Sequence, residues 1–129
     1  MASEKTESIQ KIVRSDPRFG PQAYYFIFDA LDFTLQRLGN ARHVTGVELL
    51  RGIRGYAIEQ FGFLARTVLG EWGVCETEDF GDIVFNLVEA GLLSRSDHDT
   101  REDFRRVYDF EEAFDRDFKK SLDEVTLSV

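Results

Sequence analysis

The residues best suited to chemistry are few. Two histidines, His43 and His98, lie far apart in the chain, and Cys75 is the single cysteine. Zinc ligation asks for four Cys or His side chains at close spacing, and no such spacing exists. Asp97-His98-Asp99, followed by Glu102 and Asp103, is the densest oxygen cluster. It lacks the glycine and the ligand spacing of a calcium loop, and a solvated charged turn accounts for it. Nucleophilic catalysis would need Cys75 beside a base, yet its neighbour in sequence is the acidic Glu76 rather than a cationic group that favours a thiolate. Cys75 therefore reads as a small, partly buried thiol. No Gly-x-Ser-x-Gly elbow and no phosphate-binding glycine loop occurs. Asp29 and Asp32 share a helix face and could form an acid–base pair. They also make up much of the polar stripe on that helix, which solvation explains without catalysis. The expectation is no catalytic residue, no cofactor and no metal. A small enzyme using paired carboxylates is the third of three functional readings.

The elements that must carry these residues are mostly helical. Residues 4–14 place Ile9, Ile12 and Val13 at helical spacing, as a short amphipathic arm. Asp16-Pro17-Arg18-Phe19-Gly20-Pro21 separates that arm from the body, with Pro21 suited to a first helical position. From Gln22 to Leu38 the polar residues Tyr25, Asp29, Asp32 and Gln36 fall on one narrow stripe, so this helix should be covered around most of its circumference. Gly39 and Asn40 stop it. Thr45-Gly46-Val47-Glu48 has capping-box spacing and predicts a helix to about Gln60, with Leu49, Leu50, Ile53 and Ala57 inward. Phe63 to Glu71 reads as a short helix with Leu64, Val68 and Leu69 inward. Thr77 is the expected N-cap of a helix to Gly91, with Phe80, Ile83, Val84, Leu87 and Val88 on its apolar face. Residues 92–95 and 104–108 read as short strands of a β-hairpin around the polar turn 96–103. A last helix is expected from Phe110 to about Lys120.

The fold class expected is therefore mainly α: a compact domain of five to six helices with a short β-hairpin. The order over 45–108, three helices and then a hairpin, is that of a winged helix. Residues 1–18 form the arm, 19–120 the single domain and 121–129 a mobile tail. At 129 residues, one domain is the natural count. No apolar run is long enough to span a bilayer, no signal-peptide core is present, and one cysteine suits a reducing cytosol. These features predict a cytoplasmic protein without a membrane partner. Three stretches carry a resemblance: Arg42-His43-Val44-Thr45-Gly46-Val47-Glu48-Leu49-Leu50, Thr77-Glu78-Asp79-Phe80-Gly81-Asp82-Ile83-Val84-Phe85 and Val107-Tyr108-Asp109-Phe110. Over roughly residues 19–118 the chain resembles an uncharacterised bacterial protein family of about 130–140 residues. That resemblance implies a bacterial, cytoplasmic protein and assigns no functional residue.

Charge weighs against nucleic acid. The formal net charge is −8, divided as +2 over residues 1–70 and −10 over 71–129. A winged helix would put the 77–91 helix into the major groove, but its polar positions Glu78, Asp79, Asp82, Asn86 and Glu89 are mostly acidic and repel phosphate. The nearest basic candidates are Arg42, His43, Arg51 and Arg54 around the 45–60 helix, where Arg51 and Arg54 sit at i, i+3. Nucleic-acid binding through Arg51 and Arg54 is the second reading. The remaining anomaly is the twelve phenylalanines. Aromatic residues anchor interfaces, and Tyr25, Phe26, Phe85, Phe110, Phe114 and Phe118 are the candidates. The leading expectation is a protein–protein interaction or adaptor module, with a protein partner or a second copy of itself.

Overall fold

The computed structural model describes residues 3–39, 43–94 and 101–116. The molecule is mainly helical: α1 spans Glu4–Ser15, α2 Pro21–Leu38, α3 Gly46–Phe61, α4 Ala65–Glu71 and α5 Thr77–Glu89. A 3₁₀ turn, Gly62–Leu64, joins α3 to α4. A second 3₁₀ turn covers Arg101–Phe104, and a π-helical turn covers Glu111–Arg116. No helix among the described residues is long and apolar enough to cross a membrane.

Local chemistry sets most of the helix ends. Ser3 caps α1 by accepting the Thr6 backbone N–H at 3.1 Å. Pro21 opens α2, and Gly39 closes it in the left-handed region at φ 92°. Thr45 and Glu48 form the capping box of α3: Thr45 Oγ1 accepts from Glu48 N at 3.2 Å and Glu48 Oε1 from Thr45 N at 3.1 Å. At α5 the cap falls one residue earlier than Thr77. Asp79 reaches back to accept the N–H groups of Cys75 at 2.9 Å and Glu76 at 3.2 Å. Thr77, freed from capping, is fully buried. After α5, Gly91 turns at φ 77° and Leu92 N–H donates to Leu87 O at 2.9 Å, as an αL terminus with an accompanying apolar contact requires.

α2 and α3 form the central pair. Tyr24, Ile27 and Ala30 of α2 meet Leu50, Ile53 and Ala57 of α3, all fully buried. Thr34 faces Gly52 across the crossing, so closely that a Cβ on Gly52 would overlap the Thr34 hydroxyl. Phe80, Ile83 and Leu87 of α5 complete this core, and Ile9 docks α1 against it. The exposed side of α2 is the stripe Tyr25, Asp29, Asp32 and Gln36 that its sequence predicts.

The expected β-hairpin is not there: the described residues contain no strand, and residues 95–100 lie outside them. Phe104, only 2% exposed, drops from its 3₁₀ turn into a notch made by two glycines. A Cβ on Gly81 would come within 2.9 Å of Phe104, and one on Gly46 within 3.1 Å. The N–H groups a strand would offer are already taken by α5. Arg106 N–H donates to Glu78 Oε1 at 3.2 Å, and Val107 N–H donates to Thr77 Oγ1 at 3.2 Å. Backbone groups satisfied in this way cannot also build a ladder. Three helices thus occupy 46–89 in the expected order, but the wing that would make them a winged helix is absent among the described residues. Of the last expected helix, Phe110 and, in the π turn that follows it, Ala113 and Phe114 face inward; its remainder and the 121–129 tail lie outside the described residues.

Candidate functional site

The aromatic candidates divide by burial. Phe26 is 5% exposed, ringed by Tyr56, Phe61 and Trp72 at centroid distances of 5.4, 6.0 and 5.6 Å. Phe110 and Phe114 pack edge to face at 5.0 Å, with Tyr108 and Phe80 beside them. These three rings are core, not surface, because facing helices supply the rest of each cluster. Tyr25 stays exposed, and its hydroxyl donates to Thr6 Oγ1 at 3.0 Å, tying α2 to α1. Phe118 lies outside the described residues. Among the described residues, the most exposed large apolar side chains are instead Phe63 at 72% and Leu64 at 49%. The i, i+4 spacing that predicts Leu64 inward fails because Gly62 shifts the chain into a 3₁₀ turn, and Ala65 and Leu69 take the inward places.

Phe85 leads to the site. It is half-buried, edge-on to Phe104 at 6.3 Å, with the Arg101 guanidinium 5.4 Å from its ring centre. It lines a cavity of about 340 Å³ where α2, the start of α3 and the end of α5 diverge. Leu31 and Leu35 come from α2, Val44 and Leu49 from the α3 entry, Val84 and Val88 from α5, and Leu92, Leu93 and Phe104 close the wall. His43, Thr45 and Ser94 bring the polar groups at its edge. Sequence reading missed this cavity, although the wide apolar face of α5 and the Leu92-Leu93 pair after Gly91 were its signal. Helix α5 is apolar over more of its surface than one neighbour covers, and the surplus lines the cavity.

Ion pairs tie α5 to the segments around it. Asp82 accepts from Arg18 at 3.0 Å and from Arg101 at 3.4 Å. Arg18 also grips Asp16 through both carboxylate oxygens at 2.8 Å. Asn86 Nδ2 donates to Asp16 at 3.0 Å and to the Tyr24 hydroxyl at 3.1 Å. The Arg18 bonds hold the Asp16 carboxyl far below the usual carboxylate range, against the opposing effect of partial burial. The acidic flank of α5 is thus partly employed in structure: Asp79 caps, and Asp82 joins two segments.

The other chemical candidates stay apart. His43 lies at the apolar cavity, whereas exposed Cys75 lines a separate polar cleft with Glu78, Arg106 and Asp109. They form no nucleophile–base pair. Asp29 and Asp32 point to solvent. Cys75 is exposed rather than partly buried because the turn after α4 carries it outward while Val74 fills the interior. No group of three metal-binding side chains forms among the described residues, and Asp97, His98 and Asp99 lie outside them. Of the basic candidates, Arg51 is exposed on α3, Arg54 is half-buried near Tyr108, and Arg42 lies outside the described residues. No family model matches this chain, and no curated protein or solved structure matches it.

Proposed function

We propose that the protein is a recognition module that takes apolar side chains of a protein partner into the cavity between α2, α3 and α5. One observation carries this: Leu31, Leu35, Val84, Phe85, Leu92 and Leu93 converge on a single concavity and remain only partly buried. Covering them releases the hydrophobic free energy of about 25 cal/mol per Å² that the isolated chain leaves unused. A volume of about 340 Å³ sits at the low end of ligand sites, which run from roughly 300 to 1,000 Å³. That is room for anchoring side chains rather than for an extended cofactor. Such anchors in a desolvated pocket dominate interface energetics.

The acidic flank of α5 favours this reading over nucleic acid, since Glu78, Asp79, Asp82 and Glu89 would face phosphates with the wrong sign. A second copy of the chain is the homotypic form of the same partner. The likeness to an uncharacterised bacterial family, carried by the three stretches above, belongs to this proposal. So does a cytosolic setting, carried by the single cysteine.

A phage-displayed peptide library selected on the immobilised full chain tests it. Expected binders carry two bulky apolar residues three or four positions apart. They lose binding to a Val88→Glu variant whose circular dichroism is unchanged. Enrichment of basic or purely polar peptides, or retention on Val88→Glu, overturns the reading.

A further inference from the structure

A different flank of the α2–α3 pair holds a smaller cleft of about 270 Å³. Arg37 comes to it from α2 and Arg51 from α3. The Arg37 guanidinium lies 4.2 Å from the centre of the Phe33 ring, one helical turn earlier. Stacking on an aromatic face fixes the plane of a guanidinium and leaves its N–H edge directed outward. Gly55 lies against that ring: a Cβ there would sit 3.4 Å from Phe33, in ordinary contact. The close Thr34–Gly52 crossing brings the two helices, and therefore the two arginines, to one cleft.

Arg18, Arg66, Arg101 and Arg105 each pair with a carboxylate. Arg37 and Arg51, like Arg14 and Arg106, form no ion pair among the described residues, and of these four only Arg37 and Arg51 line one cleft together. Glu48, the one carboxylate lining the cleft among the described residues, accepts the Thr45 backbone N–H at 3.1 Å in the capping box.

We infer that this cleft is a binding site for a small phosphate monoester, with Arg37 and Arg51 holding the phosphate and the Phe33–Gly55 wall taking its apolar body. A carboxylate balances the charge of one guanidinium, whereas a phosphate monoester, with a charge of about −1.5 to −2 at pH 7, balances that of two. A tetrahedral dianion can accept from two forks, and Arg37 and Arg51 line one cleft from separate helices. The mostly apolar wall asks for an organic substituent rather than free phosphate. This site is independent of the apolar cavity, so either proposal can fail without the other.

The test is a titration of the isotope-labelled full chain with phenyl phosphate at low salt, read by amide chemical shifts. Saturable shifts are expected in 33–38 and 48–55. Inorganic phosphate and benzoate bind more weakly. Arg37→Gln and Arg51→Gln each weaken binding at least about tenfold, while Arg14→Gln leaves it unchanged. Glutamine is a good helix former, and Arg51 is exposed, so the Arg51 variant keeps the fold. Several outcomes overturn the inference: non-saturating shifts spread over all basic residues, benzoate binding as tightly as phenyl phosphate, or indifference to Arg51→Gln. So does tighter binding of a single-stranded oligonucleotide than of phenyl phosphate through the same residues, which would make the surface a nucleic-acid interface.

Discussion

Gly52→Ala is the most informative single change in the core. In a helix interior, Ala is favoured over Gly by about 1 kcal/mol, so an uncrowded site would be stabilised. At Gly52 the new methyl overlaps Thr34 Oγ1 and would lie 2.9 Å from Thr34 Cβ and 3.1 Å from its Cγ2. The Thr34 hydroxyl cannot swing away freely, because it donates to Ala30 O at 2.7 Å. Overpacking of this kind costs about 1–3 kcal/mol and exceeds the propensity gain here, because three atoms of one fixed side chain are struck at once. With about 1 kcal/mol of propensity gained back, the expected net loss is about 1–2 kcal/mol, toward the upper end of the range. Second-site changes grade the rescue. Thr34→Ser keeps the struck oxygen and removes only the Cγ2 contact, so it restores little. Thr34→Ala removes Oγ1 and Cγ2 but leaves the Cβ, so it restores part. Thr34→Gly removes all three contacts. Urea unfolding followed by far-UV circular dichroism gives each stability, and the Gly52/Thr34→Ala cycle should show coupling of at least about 1 kcal/mol. A stabilised Gly52→Ala protein, or equal rescue by Ser and Ala, would refute the helix crossing described above.

Other expectations concern pH and the surface. The folded Asp16 pKa lies below its unfolded value, so its stabilisation is complete above about pH 4 and fades as the pH falls further. Asp16→Asn should cost about 1 kcal/mol at pH 6, limited by the solvent exposure of Arg18, and should flatten the acid limb of a urea-midpoint profile. Burial raises the pKa of Tyr24, Tyr56 and Tyr108. Their contribution is therefore intact below about pH 10 and lost above it, and a stability profile that stays level to higher pH would contradict their burial. Phe63→Ser should leave stability within about 0.5 kcal/mol, measured by thermal melting, because the ring is 72% exposed.

Helix periodicity and caps made most of the architecture readable in advance. The Thr45–Glu48 box, Pro21, Gly39 and Gly91 each act locally, and local rules suffice for them. The narrow polar stripe of α2 likewise reports a helix covered on several sides. The failures are non-local. Nothing near Phe104 in sequence says that Gly81 and Gly46 leave a notch for it, or that Thr77 and Glu78 will occupy the N–H groups of a would-be strand. The same limit explains the misread aromatics. Phe110 and Phe114 look like surplus until Tyr108 and Phe80 are seen to enclose them. The candidate cavity was legible only as an excess: α5 and Leu92-Leu93 carry more apolar surface than one partner helix can cover. The Arg37–Arg51 pairing depends on how two helices cross, and sequence separation hides it.

Asp82 receives Arg18 from the stretch between α1 and α2, and Arg101 from the 3₁₀ turn Arg101–Phe104. Each arginine takes its own carboxylate oxygen, so neither has to yield for the other to bind. One side chain on α5 therefore fastens two stretches far apart in sequence; losing that carboxylate would release both at once, whereas losing either arginine would release one.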